Sequence, residues 1–182
     1  MRKTVAFVMA AVLLTMICPT PAKAEGFSYP QHFGSFHLGG TIGVSNFVGG
    51  TAGGEYNYRV TDKGYLTIRP DYHGGYDVFN SPGLGKFMWT GTVGYRQFRP
   101  EGNDRAWSFM GGLYGGYSLS TLILAEWALF GVHGVANYHF FSSDRVSVGP
   151  FFGFMAGGRF GIDSVAGTFP MLNIDFGFNI TF

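Results

Sequence analysis

The chain is poor in charge, since Asp, Glu, Lys and Arg together make up 13% of its 182 residues. Soluble domains carry about 25% charged residues, and disordered chains combine high charge with few aromatic residues. The formal net charge is only +1, and the sequence has no run of lysine or arginine. This composition excludes a disordered chain and a basic nucleic-acid binder, so we expect no nucleic-acid partner.

Cysteine is almost absent, because Cys18 is the only one in the sequence. It lies in a segment with the layout of a secretory signal peptide. A positive start precedes 13 uncharged residues, Val5–Ile17, and Ala22-Lys23-Ala24 places small residues at positions −3 and −1 of a cleavage site. We therefore expect residues 1–24 to be removed and residues 25–182 to form one domain without a disulfide.

Membrane-spanning helices are disfavoured by the glycine content of the apolar stretches. Trp107–Ala125 and Trp127–Ser143 are uncharged over 19 and 17 residues, and length alone would permit two helices. The first stretch contains the pairs Gly111-Gly112 and Gly115-Gly116. Each glycine costs a helix about 1 kcal/mol relative to alanine, so these stretches favour strands.

Apolar residues occupy every second position at the end of the chain. Leu172, Ile174, Phe176, Phe178, Ile180 and Phe182 alternate with Asn173, Asp175, Gly177, Asn179 and Thr181. A strand separates two such sets onto opposite faces, whereas a helix spreads them around its surface. A looser alternation recurs over residues 36–45, 55–60, 66–73, 89–96, 107–118, 130–139 and 146–159. The pattern predicts eight strands.

Turn-forming residues separate these segments. We place the connections at residues 48–50, 62–64, 80–85, 101–104, 120–126, 142–144 and 161–167. In the second connection we expect Gly64 to take the left-handed position of a three-residue loop, so that Thr61 pairs with Tyr65. Asn57 would then face Arg69.

A signal peptide followed by alternating strands that end on a terminal phenylalanine is typical of one class of protein. In these features the chain resembles the small eight-stranded outer-membrane barrels of the OmpA, OmpX and opacity type from Gram-negative bacteria. The resemblance implies an all-β, transmembrane, antiparallel up-and-down barrel, closed because lipid leaves no partner for a free sheet edge. Eight strands are expected, and ten with shorter connections are the alternative. The external loops are shorter than those of many adhesive members.

The same resemblance implies a location and partners. The barrel would be integral to the cell outer membrane, surrounded by membrane lipid and lipopolysaccharide, with both termini in the periplasm. The outer-membrane assembly machinery would read the closing signal, which comprises Phe176, Phe178, Ile180 and Phe182. Aromatic residues would form girdles at the two membrane interfaces; they are Tyr56, Tyr58, Tyr72, Tyr76, Trp89, Tyr95, Trp107, Tyr117, Trp127 and Tyr138.

Polar residues at the alternate strand positions are expected to face the lumen. They are His37, Glu55, Asn57, Arg59, Arg69, Asp71, His73, Arg96, His133, Asn137, His139, Arg159 and Asp175. Because buried charges must be paired, we expect a satisfied network that plugs the barrel. A narrow pore or gated path is the alternative.

Catalytic and metal-binding patterns are weak. Asp71 and His73 project to the same side of one strand, but nothing places Ser81 close enough to complete an acyl-transfer triad. His133 and His139 share a face but lie six residues apart, about 20 Å along a strand, too far for one metal ion. We therefore expect no catalytic residues, no cofactor and no metal.

The connection from Leu119 to Trp127 is apolar for an external loop. Leu119, Leu122, Ile123, Leu124 and Trp127 would form a lip that contacts lipid, a partner or a hydrophobic ligand. Alternatively, the flanking strands extend and turn tightly within this segment.

The function expected from the sequence is a non-enzymatic structural or surface-contact role in the cell envelope, with the external partner unknown. The alternatives are porin-like transport of small or hydrophobic molecules and, third, a lipid A-modifying enzyme.

Overall fold

A computed structural model describes residues 30–43, 47–77, 85–101, 104–121, 125–142, 146–162 and 167–182. These residues form eight strands: β1 (His32–Gly43), β2 (Phe47–Arg59), β3 (Gly64–Asp77), β4 (Gly85–Pro100), β5 (Arg105–Ser120), β6 (Ala125–Phe141), β7 (Ser147–Gly161) and β8 (Phe169–Thr181). Each strand pairs antiparallel with the next, and β8 pairs with β1 to close a barrel. The predicted eight-stranded up-and-down barrel is confirmed, and the ten-stranded alternative is wrong. No helix among the described residues is long and apolar enough to cross a membrane.

The barrel has two distinct ends. The turn end carries the connections β2–β3, β4–β5 and β6–β7, together with the first and last described residues, Pro30 and Phe182. The loop end carries the connections β1–β2, β3–β4, β5–β6 and β7–β8. From the turn end to the loop end, residue numbers therefore increase along β1 and decrease along β2.

The outward face of the barrel is apolar on every strand. Exposed side chains include Leu38 of β1, Leu113 of β5 and Phe178 of β8, which are 62%, 58% and 67% exposed. The charged residues on the outward face of the described strands are Arg99, Arg105 and Glu126, and each lies at or next to a strand end. The strands are 12 to 17 residues long, which exceeds the roughly 9–11 residues that a tilted strand needs to cross a bilayer.

Aromatic residues gather on the outward face near each end. Tyr72, Phe87, Trp89 and Tyr117 follow one another across β3, β4 and β5 near the loop end, with neighbouring ring centroids 5.5 to 6.3 Å apart. Near the turn end, Trp107 contacts Tyr138, with ring centroids 4.7 Å apart. This distribution is that of the interfacial girdles of membrane barrels.

The first predicted connection is displaced in the structure. Val48, Gly49 and Gly50 were expected to form a loop, but they lie in β2, which begins at Phe47. A Cβ atom on Gly49 would lie 2.3 Å from the carbonyl oxygen of Gly74. Glycine at this position therefore allows β2 and β3 to approach closely in a narrow barrel, and does not mark a turn.

The β2–β3 turn also differs from the prediction. Its two central residues are Asp62 and Lys63, because Thr61 and Gly64 exchange hydrogen bonds of 3.1 and 3.4 Å. The amide of Val60 donates to the same Gly64 carbonyl at 2.9 Å. Two residues of one strand thus oppose one residue of the other, which is a β-bulge.

The bulge shifts the register by two residues and preserves which side chains face inward. Asn57 pairs with Thr67, so the expected pairing of Asn57 with Arg69 is wrong. The backbone of Gly64 does not lie in the left-handed region. A Cβ atom there would lie 1.7 Å from the Tyr95 hydroxyl, so a larger residue would have to displace that ring.

Candidate functional site in the barrel lumen

An aromatic cluster lies in the lumen at the turn end. Phe33, Tyr65 and Phe98 are nearly fully buried and meet edge to face, with ring centroids 4.9 to 5.6 Å apart. The Tyr65 hydroxyl donates to the carbonyl of Pro30 at 3.0 Å. Such edge-to-face packing stabilises the rings beyond the area they bury. Tyr65 and Phe98 lie on the neighbouring strands β3 and β4, and Phe33 reaches both from β1.

A charged network lies directly above this cluster, centred on Glu55 of β2. Arg96 Nη2 donates to Glu55 Oε2 at 2.6 Å, and Arg69 Nη1 donates to the same oxygen at 3.2 Å. Arg69 Nε reaches both oxygens of Asp71 at 3.1 Å. His37 Nε2 lies 2.5 Å from Asp71 Oδ1. Two guanidinium groups and two carboxylates therefore neutralise one another in a buried interior, where an unpaired charge would be very costly.

Further hydrogen bonds connect Arg96 to side chains of β5, β6, β7 and β8. Arg96 Nη1 donates to Ser108 Oγ at 2.7 Å, and Ser108 is bonded to His139 Nε2 at 2.8 Å. His139 Nδ1 is in turn bonded to Ser147 Oγ of β7 at 3.0 Å. With its amide oxygen toward Arg96, Asn137 accepts from Arg96 at 3.0 Å and from Asn179 of β8 at 2.9 Å.

We call this set of hydrogen-bonded side chains the Glu55 network, and its members come from all eight strands. Its members are Ser35, His37, Glu55, Asn57, Thr67, Arg69, Asp71, Arg96, Ser108, Asn137, His139, Ser147 and Asn179. All are nearly fully buried. Within the network, His37 Nδ1 and Arg96 Nε make no hydrogen bond to the described residues. The remaining hydrogen bonds link the strands, and such buried networks rigidify a structure.

Glycine makes room for these large polar groups. A Cβ atom on Gly53 of β2 would lie 2.6 Å from two atoms of the His37 imidazole. The absence of a side chain at position 53 therefore allows His37 of β1 to reach Asp71 of β3 over the intervening strand β2. Inward glycines compensate for inward histidine and arginine in this way because a barrel of eight strands has little interior volume.

The structure places the predicted lumen residues in three regions. His37, Glu55, Asn57, Arg69, Asp71, Arg96, Asn137 and His139 belong to the Glu55 network. His73, His133 and Asp175 are buried closer to the loop end, and His133 Nδ1 is bonded to Thr92 Oγ1 at 2.8 Å. Two arginines lie outside the buried interior: Arg59 is half-buried at the turn end, 3.4 Å from Gln31, and Arg159 is half-buried at the loop end.

The loop-end half of the lumen contains an apolar cluster, which the sequence interpretation missed. Its buried cluster comprises Phe47, Met88, Tyr114, Ala125, Trp127, Leu129, Met155 and Met171. A small recess beside this cluster is lined by Met88, Met171, Asn173, Lys86 and Arg159, among others. The sequence does indicate this cluster, because its residues occupy the same alternate positions of their strands as the inward polar residues.

The position of Trp127 corrects two expectations, that it lies in an interfacial girdle and that it forms part of an external lip. It is 5% exposed and faces the lumen, with the Arg159 guanidinium 5.5 Å from its ring centroid. It belongs neither to an interfacial girdle nor to an exposed lip. β5 and β6 extend into the apolar segment, so Leu119 lies in β5 and is half-buried, whereas Leu122, Ile123 and Leu124 lie outside the described residues.

The structure brings together no acyl-transfer triad among the described residues. Asp71 is bonded to Arg69 and His37, and His73 Nδ1 lies 3.6 Å from Asp175. Ser81 lies outside the described residues. In the same part of the chain, no group of three or more His, Cys, Asp and Glu side chains is arranged to hold a metal ion.

Comparison with known proteins identifies the fold. No protein-family model matches the chain, and no curated protein sequence matches it significantly. Among solved structures, the chain is similar to Neisserial surface protein A, with a TM-score of 0.66 at 9% identity, covering 84% of this chain and 96% of that one. It is also similar to the N-terminal β-barrel domain of Pseudomonas aeruginosa OprF, with a TM-score of 0.51 at 11% identity, covering 84% and 98%. The chain thus has the fold of small eight-stranded outer-membrane barrels.

Proposed function

We propose that this chain is an integral, non-enzymatic protein of the bacterial outer membrane, with a sealed lumen and a structural or surface-contact role in the cell envelope. One observation carries the proposal: the Glu55 network is buried in the lumen and takes side chains from every strand. A barrel built to conduct would instead line its lumen with solvated groups.

The outward surface supports the membrane location. An apolar belt without charge between the strand ends is unstable in water and suited to lipid. Arg99, Arg105 and Glu126 would then lie at the interfaces, where charged groups cost little. The lipid partners of the protein would be outer-membrane lipid and lipopolysaccharide.

Residues 1–24 and the chain termini complete the proposal. We expect cleavage after Ala24, and the turn end with Phe182 in the periplasm, where assembly machinery would bind the closing signal. The loop end would then face the outside of the cell, and contacts with external molecules would be made there.

Cysteine labelling tests this location and orientation. Removal of the signal peptide would leave no cysteine, because Cys18 is the only one in the sequence. In intact cells, a membrane-impermeant maleimide should label a Thr121→Cys variant at the loop end. An Asp104→Cys variant at the turn end should be labelled only after the outer membrane is permeabilised. The reverse pattern would contradict the orientation, and labelling of neither after permeabilisation would contradict the location.

Lipid A analysis tests the non-enzymatic part of the proposal. Mass spectra of lipid A from cells with and without the protein should be identical. A mass difference of one acyl chain would overturn the proposal and direct substitution to Asp71, His73 and Ser81.

A further inference from the structure

The pairing of β2 with β3 is interrupted at a proline. Gly54 and Glu55 of β2 lie opposite Arg69 and Pro70 of β3, but the register skips these positions. Proline has no amide hydrogen, so Pro70 cannot donate to the carbonyl of Gly54, the residue that it faces. Within sheets, proline is normally confined to edges and bulges, where no ladder hydrogen bond is lost. The sheet is therefore weakened between β2 and β3 at this point.

The pairing of β6 with β7 has the same kind of interruption. Tyr138 and His139 lie opposite Gly149 and Pro150, and the register skips them. The other six strand pairings continue without a gap over the residues that the structure describes. In a ring of eight strands, the β2–β3 and β6–β7 pairings are four strands apart, so the two interruptions lie on opposite sides of the barrel.

Bonds of the Glu55 network span both interruptions from the lumen. Glu55 and Arg69 face each other at the first, and Arg69 Nη1 donates to Glu55 Oε2 at 3.2 Å. At the second, His139 Nδ1 of β6 is bonded to Ser147 Oγ of β7 at 3.0 Å. All four side chains are nearly fully buried, and hydrogen bonds are electrostatically stronger in such surroundings than in water.

We propose that the two interruptions are seams along which the barrel can open, and that the Glu55–Arg69 and His139–Ser147 bonds are latches that hold them shut. The seams divide the barrel into two four-stranded halves, β3 to β6 and β7 to β2. Proteins open locally where the fewest interactions are lost. Without its latch, the β2–β3 seam would therefore open while the uninterrupted pairings stay closed.

The β2–β3 seam is the less covered of the two. A Cβ atom on Gly54 would approach nothing more closely than the Ser35 carbonyl oxygen at 3.7 Å, so no side chain covers this point from outside. At the β6–β7 seam, the Tyr138 ring packs against Trp107 and Phe140, with ring centroids 4.7 and 4.8 Å apart. We therefore expect the β2–β3 seam to open first, connecting the lumen with the lipid-facing surface.

Amide hydrogen exchange, followed by mass spectrometry of peptides, tests the proposal on protein refolded in detergent. In Glu55→Gln, amides of residues 52–58 and 66–72 should exchange about tenfold faster than in wild type. Residues 109–115 and 130–136, which pair without interruption between β5 and β6, should change much less. An equal rise in all four segments would overturn the latch and leave Glu55 as a general stabiliser.

Restoring the missing amide provides the second arm of the test. Pro70→Ala supplies a donor for the Gly54 carbonyl, so it should return the exchange of Glu55→Gln close to the wild-type rate. Thr92→Val is the control, because it removes a lumen bond to His133 that spans neither seam, and it should leave exchange at the seam unchanged. Failure of Pro70→Ala to slow exchange at the seam would overturn the proposal.

Wild type and Pro70→Ala decide the question if Glu55→Gln fails to refold. In wild type, residues 52–58 should exchange faster than residues 109–115, and Pro70→Ala should remove the difference. Equal rates in wild type would show that the interruption is not a seam. Exchange reports on the seams and conductance on the sealed lumen, so this inference and the proposed function can fail separately.

Discussion

Glu55 has the central electrostatic role among the individual residues. Its carboxylate pairs with two buried arginines, Arg69 and Arg96. Removing it leaves two guanidinium groups without their common partner, so Glu55→Ala should lower the free energy of unfolding by about 3–5 kcal/mol. Denaturant unfolding in detergent micelles, followed by tryptophan fluorescence, measures the change. Glu101→Ala is the control, because Glu101 is exposed and should have little effect. Equal stability of the two variants would contradict the role of Glu55.

The three tryptophans test which residues face lipid. Trp89 lies on the outward face and Trp127 in the lumen. In vesicles of brominated lipid, a variant that keeps only Trp89 should be strongly quenched, whereas one that keeps only Trp127 should fluoresce as in ordinary lipid. The two proteins are made by Phe substitution of the other two tryptophans, so each is the control for the other. Strong quenching of Trp127 would show that it does not face the lumen.

Whether a residue occupies an odd or an even position of its strand predicts if it faces the lumen or the outside. The type of residue predicts this less well. Trp127 has the same parity as His133 and His139, which were expected in the lumen, and its side chain lies with theirs. The girdle assignment relied on tryptophan preferring interfaces and ignored that parity. The buried hydroxyls of Ser108 and Ser147 likewise follow from parity alone.

At the scale of elements, the start of β3 packs closely against the Tyr95 ring of β4. A Cβ atom at Gly64 would overlap the Tyr95 ring. Gly64→Ala should therefore destabilise the barrel by about 1–3 kcal/mol. In the background of Tyr95→Ala the same substitution should cost much less, and a double-mutant cycle of unfolding free energies measures the difference. Additive effects would show that the Tyr95 ring is not the cause.

The last strand provides a second element-scale prediction. Phe182 is 64% exposed and pairs with Gly34 through two backbone hydrogen bonds of 2.9 and 3.0 Å. Because the exposed ring adds little to the packed interior, Phe182→Ser should refold in detergent almost as wild type does. If the ring is part of an assembly signal, the amount in the outer membrane should fall several-fold. Phe178→Ser would test the same signal, and unchanged membrane levels of both variants would argue against it.

The number and order of the strands were predictable from the sequence, but the pairing register and the loop positions were not. Alternation identified eight strands because it reports which face each residue occupies. A register shift of two residues leaves each side chain on the same face of the sheet. Alternation therefore cannot tell whether Asn57 pairs with Thr67, as in the structure, or with Arg69. Glycine misled the placement of the first loop, because Gly49 lies inside β2 and allows close packing against β3.

At the scale of the whole molecule, the lumen is layered. From the turn end it holds the aromatic cluster of Phe33, Tyr65 and Phe98, then the Glu55 network, then the buried pair of His73 and Asp175, and finally an apolar cluster. The polar content of this interior follows from the sequence. Its partners do not, because the contact between Glu55 and Arg96 crosses from β2 to β4 and depends on how the closed barrel staggers its strands.

Ion conductance in a planar bilayer tests the sealed lumen most directly. The refolded protein, added at amounts that give hundreds of channel insertions for a general porin, should produce no steps in current. Two sealing layers, the aromatic cluster and the Glu55 network, lie in series across the lumen. Reproducible steps of one size from the wild-type protein would contradict the sealed barrel and favour porin-like transport.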